Sequence, residues 1–121
     1  MNATIAAAAL VTAAVGMGLY LGLLYLRRVR RPVLVGAHLL LGAAGLEATA
    51  MLLRGTPDGT VTPAGTFGIV AAATLATTMI SGLAAPLVAK RSRRNSNIAL
   101  GIHASVGVTG FVLFLAWLAG R

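Results

Sequence analysis

Two residues, His38 and His103, place a titratable ring inside long apolar stretches of this chain. Each opens the same pattern, His-x-x-x-Gly-x-x-Gly, formed by His38, Gly42 and Gly45 and again by His103, Gly107 and Gly110. Each follows a basic cluster: Arg27, Arg28, Arg30 and Arg31 before the first, Lys90, Arg91, Arg93 and Arg94 before the second. An imidazole can ligate a metal, carry a proton or bond a neighbouring backbone group. Two of them in one repeated context point to chemistry that uses a pair. Other chemistries have little to work with. There is no cysteine, so disulfides and thiolate metal sites are excluded. Glu47 is the one carboxylate within the apolar segments, and Asp58 reads as a turn residue. No nucleophile accompanied by a base is visible.

The elements that must position the histidines are membrane helices. Of the 121 residues, 58% are apolar and 10% charged. A soluble domain of this size could not bury that much apolar surface. Four apolar segments, residues 4–26, 33–53, 64–89 and 98–119, are each long enough to cross a bilayer as a helix. The ten-residue alternation of membrane strands is absent. The expected fold is all-α: a single four-helix transmembrane bundle over residues 1–121, up-down-up-down. The order of apolar span, basic loop and histidine motif occurs twice, with the histidines 65 residues apart. Two hairpins in the same orientation make a parallel repeat.

The net charge of +8 does not point to nucleic acid, because eight of the ten basic residues sit in two loops on one side of the membrane. That placement marks the cytoplasmic side. It puts both termini and the 54–63 loop outside, and allows the basic loops to meet anionic lipid. The first segment lacks a basic leader and its charges follow the apolar run, as in an uncleaved helix. The bias towards Ala, Gly, Leu and Arg suggests a bacterial inner membrane.

Local signals refine the elements. Pro32 suits the first turn of the second helix. Thr-Pro-Asp-Gly at 56–59 is a turn, and Thr62 with Pro63 reads as the start of helix three. Asn95, Ser96 or Asn97 would cap helix four. Pro86 would bend or end helix three and free a carbonyl near Gly82. Thr74, Thr77, Thr78 and Ser81 make one hydroxyl face, which either bonds back to carbonyls one turn earlier or supports a site. Trp117 and Tyr25 fit interfacial positions, whereas Tyr20 lies deeper and its hydroxyl needs a partner.

With both motif-bearing helices running inside to outside, both histidines lie about 8–10 Å into the cytoplasmic half. On diagonal helices they would face each other. A single haem b held by two axial imidazoles fits these features. Gly42, Gly45, Gly107 and Gly110 would make room for the ring, and Arg31 and Arg94 would meet the propionates. Tyr20, Thr78, Ser81 or a backbone carbonyl would accept from the second ring nitrogen. A duplicated packing pair, a proton or ion path, a quinone pocket and a non-haem metal remain alternatives. Two histidines alone leave zinc or copper under-coordinated.

On His38 and His103 with their following glycines, the stretch from Val33 to Trp117 resembles the small membrane cytochromes b related to ascorbate-reducing and ferric-reductase-like cytochromes. That resemblance implies a helical bundle with histidines on alternate helices holding haem. Two-haem members need four histidines. Two histidines imply one haem near the cytoplasmic face, and hence an electron-transfer or anchor subunit working with a quinone, a redox partner or a larger complex, or as a homo-oligomer. Two other classes stand beside this one. A non-catalytic accessory subunit of a respiratory or photosynthetic complex would use the Gly and Ala faces for packing. Four short helices are also similar to small multidrug transporters, but those carry a membrane-embedded Glu in the first helix, and none is present here.

Overall fold

The computed structural model describes residues 2–55 and 65–120, which form four α-helices and no strand. They are α1 (Ala3–Leu26), α2 (Pro32–Arg54), α3 (Gly65–Ala89) and α4 (Arg93–Ala119). Each is long and apolar enough to cross a membrane. The fold is thus all-α, and the chain is an integral membrane protein. It divides into two compact units, Met1–Pro63 and Ala64–Arg121, each a helical hairpin in which α1 packs on α2 and α3 on α4.

Within the first hairpin the buried residues are Ala7, Val11 and Ala14 on α1 and Gly45, Thr49 and Leu52 on α2. Both triplets follow i, i+4, i+7, the spacing of one helix face. The second hairpin repeats the contact. Its α4 triplet is Gly110, Phe114 and Trp117, the α2 triplet displaced by 65 residues, and Ala71 lies 64 residues after Ala7 with equally complete burial. Phe114 and Trp117 make a tilted ring contact at 6.2 Å, while Thr49, in the place of Phe114, returns its hydroxyl to the Gly45 carbonyl at 2.8 Å. Lipid tails are as apolar as leucine, so close packing through small residues, rather than hydrophobicity, holds such helices together. The large side chains Leu19, Leu23, Leu40, Ile69, Ile80 and Leu87 are exposed on the hairpins, where hydrocarbon is the natural solvent.

Caps explain the helix boundaries. Asn2 accepts from the Thr4 amide at 3.0 Å, and Pro32 occupies the first turn of α2. At the end of α1, Arg28 N–H bonds Tyr25 O at 3.0 Å and Val29 N–H bonds Leu24 O at 2.9 Å. This paired closure needs a left-handed residue between them, and Arg28 supplies it with φ 60°. Helix α4 begins earlier than its apolar run. Its cap is Ser92, which accepts from Asn95 N–H at 3.1 Å, rather than Asn95, Ser96 or Asn97. Arg93, Arg94 and Asn95 therefore form a polar first turn that hydropathy alone assigns to the loop. Pro86 lies inside α3, which continues to Ala89 instead of ending there. The Thr-Pro-Asp-Gly turn, Asp58 and the Thr62–Pro63 start lie outside the described residues.

Candidate functional site

Each hairpin builds a seat for its own histidine from three parts: a backbone carbonyl on the partner helix, a glycine one turn beyond it, and the ring. In the first, His38 Nδ1 lies 2.9 Å from Ala14 O, and the ring lies over Gly18. A Cβ added at Gly18 would stand 2.9 Å from His38 Cε1. In the second, His103 Nδ1 lies 3.0 Å from Thr78 O, and a Cβ at Gly82 would stand 2.8 Å from His103 Cε1. Ala14 to Gly18 and Thr78 to Gly82 are both i to i+4.

This spacing has a physical reason. The carbonyl at i already accepts the helical N–H of residue i+4. Its second lone pair points out past the side chain of that residue. With glycine there, an imidazole from the adjacent helix can reach the lone pair. A carbonyl only accepts, so the bonding nitrogen must be the donor and Nδ1 carries the hydrogen. That tautomer carries its lone pair on Nε2. Both histidines are half-buried.

The seats differ in one respect. Ser81 donates its hydroxyl to Thr78 O at 2.8 Å, and its oxygen lies 3.1 Å from His103 Nδ1. The ring N–H is therefore shared between Thr78 O and Ser81 Oγ. Met17, which carries no hydroxyl, occupies the matching place on α1. The rest of the hydroxyl face bonds one turn back: Thr74 to Val70 O at 2.8 Å, Thr77 to Ala73 O at 2.9 Å and Thr78 to Thr74 O at 2.9 Å. Thr78 thus serves His103 through its carbonyl and not through its hydroxyl.

The motif glycines divide into three roles. Gly45 and Gly110 are contact points between helices. A Cβ at Gly45 would meet Val11 Cγ2 at 3.0 Å and Val11 N at 3.3 Å, and one at Gly110 would meet Leu75 N and Thr74 Cγ2, each at 3.3 Å. A Cβ added at Gly107 would meet Thr78 Cγ2 at 3.1 Å, beside the second seat. Gly42 has open space, with nothing within 4 Å of an added Cβ. Tyr20 does not partner His38. It is half exposed and lines a recess with Arg30, Arg31, Pro32, Val33 and Leu34. Arg94 is exposed in the first turn of α4, and Glu47 is exposed on α2.

Gly18 and Gly82 are the site residues that sequence reasoning missed. Their signal is the internal repeat itself. Aligning α1 with α3 at 64 residues pairs Gly18 with Gly82, Ala14 with Thr78 and Ala7 with Ala71. No protein-family profile, curated protein or solved structure matches this chain.

Proposed function

We propose that this chain is a membrane electron-transfer protein that binds one haem b, with His38 and His103 as axial ligands, one from each hairpin. The carrying observation is the duplicated seat. In both hairpins Nδ1–H is tied to a carbonyl of the partner helix, which selects the tautomer whose Nε2 is the basic nitrogen, the form in which an imidazole would hold a metal. A histidine ligand is oriented, and its basicity raised, by this kind of outer contact. The donor set fits a porphyrin better than a bare ion. Among the described residues no three His, Cys, Asp or Glu side chains gather, whereas two imidazoles would suffice to hold a haem. When bound, haem supplies reversible one-electron exchange between ferric and ferrous iron.

The chain's own residues hold the geometry. Ala14 O and Thr78 O keep the proton on Nδ1, Gly18 and Gly82 admit the rings, and Ser81 adds a second acceptor at His103. The basic clusters at the histidine-proximal ends of α2 and α4 offset propionate charge. Under this proposal those clusters face the cytoplasm, both termini lie on the opposite side of a bacterial inner membrane, and a quinone or a partner protein exchanges the electron. The resemblance to small membrane cytochromes b supports the same reading.

The test is stoichiometry. Protein purified in detergent after expression with added haem precursor should carry one haem b per chain by extraction and pyridine complex formation. A protein with no extractable haem under those conditions overturns the proposal. The seats would then be packing devices in a non-catalytic subunit.

A further inference from the structure

The two hairpins share the carbonyl-and-glycine seat and most of the helix contact, apart from Ser81 against Met17 and Phe114 against Thr49, so their other departures mark what is not required by the fold. The largest polar departure lies at the turn of the first hairpin. Tyr20, Arg30, Arg31, Pro32, Val33 and Leu34 line a recess of about 440 Å³. At the corresponding places the second hairpin has Ala84 for Tyr20, by the 64-residue shift of α1 to α3, and Ser96 for Arg31, by the 65-residue shift of α2 to α4.

We propose that this recess binds one anionic phospholipid, with the headgroup phosphate between Arg30 and Arg31 and the upper acyl and glycerol region against Tyr20, Val33 and Leu34. Three observations carry it. First, the recess brings two arginines together with Tyr20, Pro32, Val33 and Leu34, so its lining is both cationic and apolar. Tyr20 lies six residues before the end of α1, about 9 Å below the arginines by helical rise. A free phosphate needs only the arginines; an amphiphile matches the whole lining. Second, among the described residues no carboxylate pairs with the guanidiniums. The sequence holds two acidic residues, Glu47 and Asp58, and Glu47 lies about 24 Å further along α2 than Arg31. No described residue hydrogen-bonds the Tyr20 hydroxyl either. Third, the turn is built to hold its shape, through the paired closure at Arg28 and Val29 and the bonds that Leu34 N–H and Val35 N–H donate to Arg31 O at 3.1 Å and 3.2 Å. Arginine pairs bind phosphate through forked, charge-assisted hydrogen bonds.

The experiment is native mass spectrometry of the full chain with phosphatidylglycerol and phosphatidylcholine of identical acyl chains, and with glycerol phosphate alone. One phosphatidylglycerol should be retained per chain, and neither of the others. Replacing both arginines, Arg30→Gln with Arg31→Gln, should lower retention by about tenfold or more, the loss expected for a charge-assisted contact. Replacing Arg93→Gln with Arg94→Gln removes the same charge from the other turn and should leave retention within about twofold. Arg30→Lys with Arg31→Lys keeps the charge that sets topology but loses the fork, and should also weaken retention severalfold, as should Tyr20→Phe. Equal losses from the two glutamine pairs, or no preference over phosphatidylcholine, overturn the proposal by showing only diffuse attraction. Retention of glycerol phosphate as strong as that of the lipid would refute the amphiphile and leave a phosphate site. The readout is lipid mass, measured on haem-free protein, so failure of the lipid site is distinguishable from failure of the haem proposal.

Discussion

Gly18→Ala is the perturbation that most sharply separates the histidine seat from general helix packing. The new Cβ would stand 2.9 Å from His38 Cε1. Carbon atoms settle at about 3.5 Å or more, so the ring must retreat by about 0.6 Å. If it retreats along the bond to Ala14 O, the 2.9 Å contact opens to about 3.5 Å, beyond hydrogen-bonding range. The lost bond costs about 0.5–1.5 kcal/mol. Replacing a mid-helix glycine by alanine returns about 0.5–1 kcal/mol. Global stability should therefore change by less than about 1 kcal/mol, while the bias towards the Nδ1–H tautomer, worth about fivefold or more at about 1 kcal/mol, is lost. Nitrogen NMR of histidine-labelled, haem-free protein reads that tautomer directly. His38 should move from predominantly Nδ1–H to a mixture, and His103 should not move. Gly82→Ala should disturb His103 less, because Ser81 Oγ remains as an acceptor at 3.1 Å. Gly16→Ala, where nothing lies within 4 Å of the new Cβ, is the control. An unchanged His38 in Gly18→Ala, or an equal change in Gly16→Ala, would refute the seat.

Other outcomes follow from the same contacts. Gly45→Ala pushes a Cβ to 3.0 Å from Val11 Cγ2 and 3.3 Å from its amide, and should destabilise the first hairpin by about 1–3 kcal/mol in a detergent unfolding titration, whereas Gly42→Ala, with open space, should be neutral or mildly stabilising. Arg28→Gly removes the strain of a left-handed non-glycine residue and should raise stability by up to about 1 kcal/mol, seen as a higher thermal midpoint. Ser92→Ala deletes the α4 cap and should cost about 1 kcal/mol, with faster amide exchange confined to Asn95 and its neighbours.

Much of the architecture was legible because it rests on composition. The four spans follow from the length of the apolar runs, and the hairpin repeat from the matched order of span, basic cluster and histidine. Pro32 sits where its missing N–H predicts. The start of α4 was not legible from hydropathy, because Ser92 begins the helix by capping it with its side-chain hydroxyl while Arg93, Arg94 and Asn95 are polar. The histidines were legible as a pair, but their acceptors were not. Ala14 and Thr78 act through carbonyls, which every residue carries, so residue type holds no signal. Gly18 was visible only as one of several small residues on α1. Its function depends on standing one turn beyond the accepting carbonyl, a relation that emerges when the two hairpins are aligned. Gly45 and Gly110 look equivalent to Gly42 and Gly107 in sequence, yet they meet the backbone of the partner helix where Gly42 meets nothing.

The central claim is that two histidines held in matching seats act together as ligands. The most direct measurement is the reduced-minus-oxidised visible spectrum of the purified protein, with His38→Ala and His103→Ala alongside. A sharp low-spin α-band of haem b in the parent, lost in each single variant, is the predicted result. A band that persists unchanged in either variant, or its absence from the parent after haem supply, would contradict it.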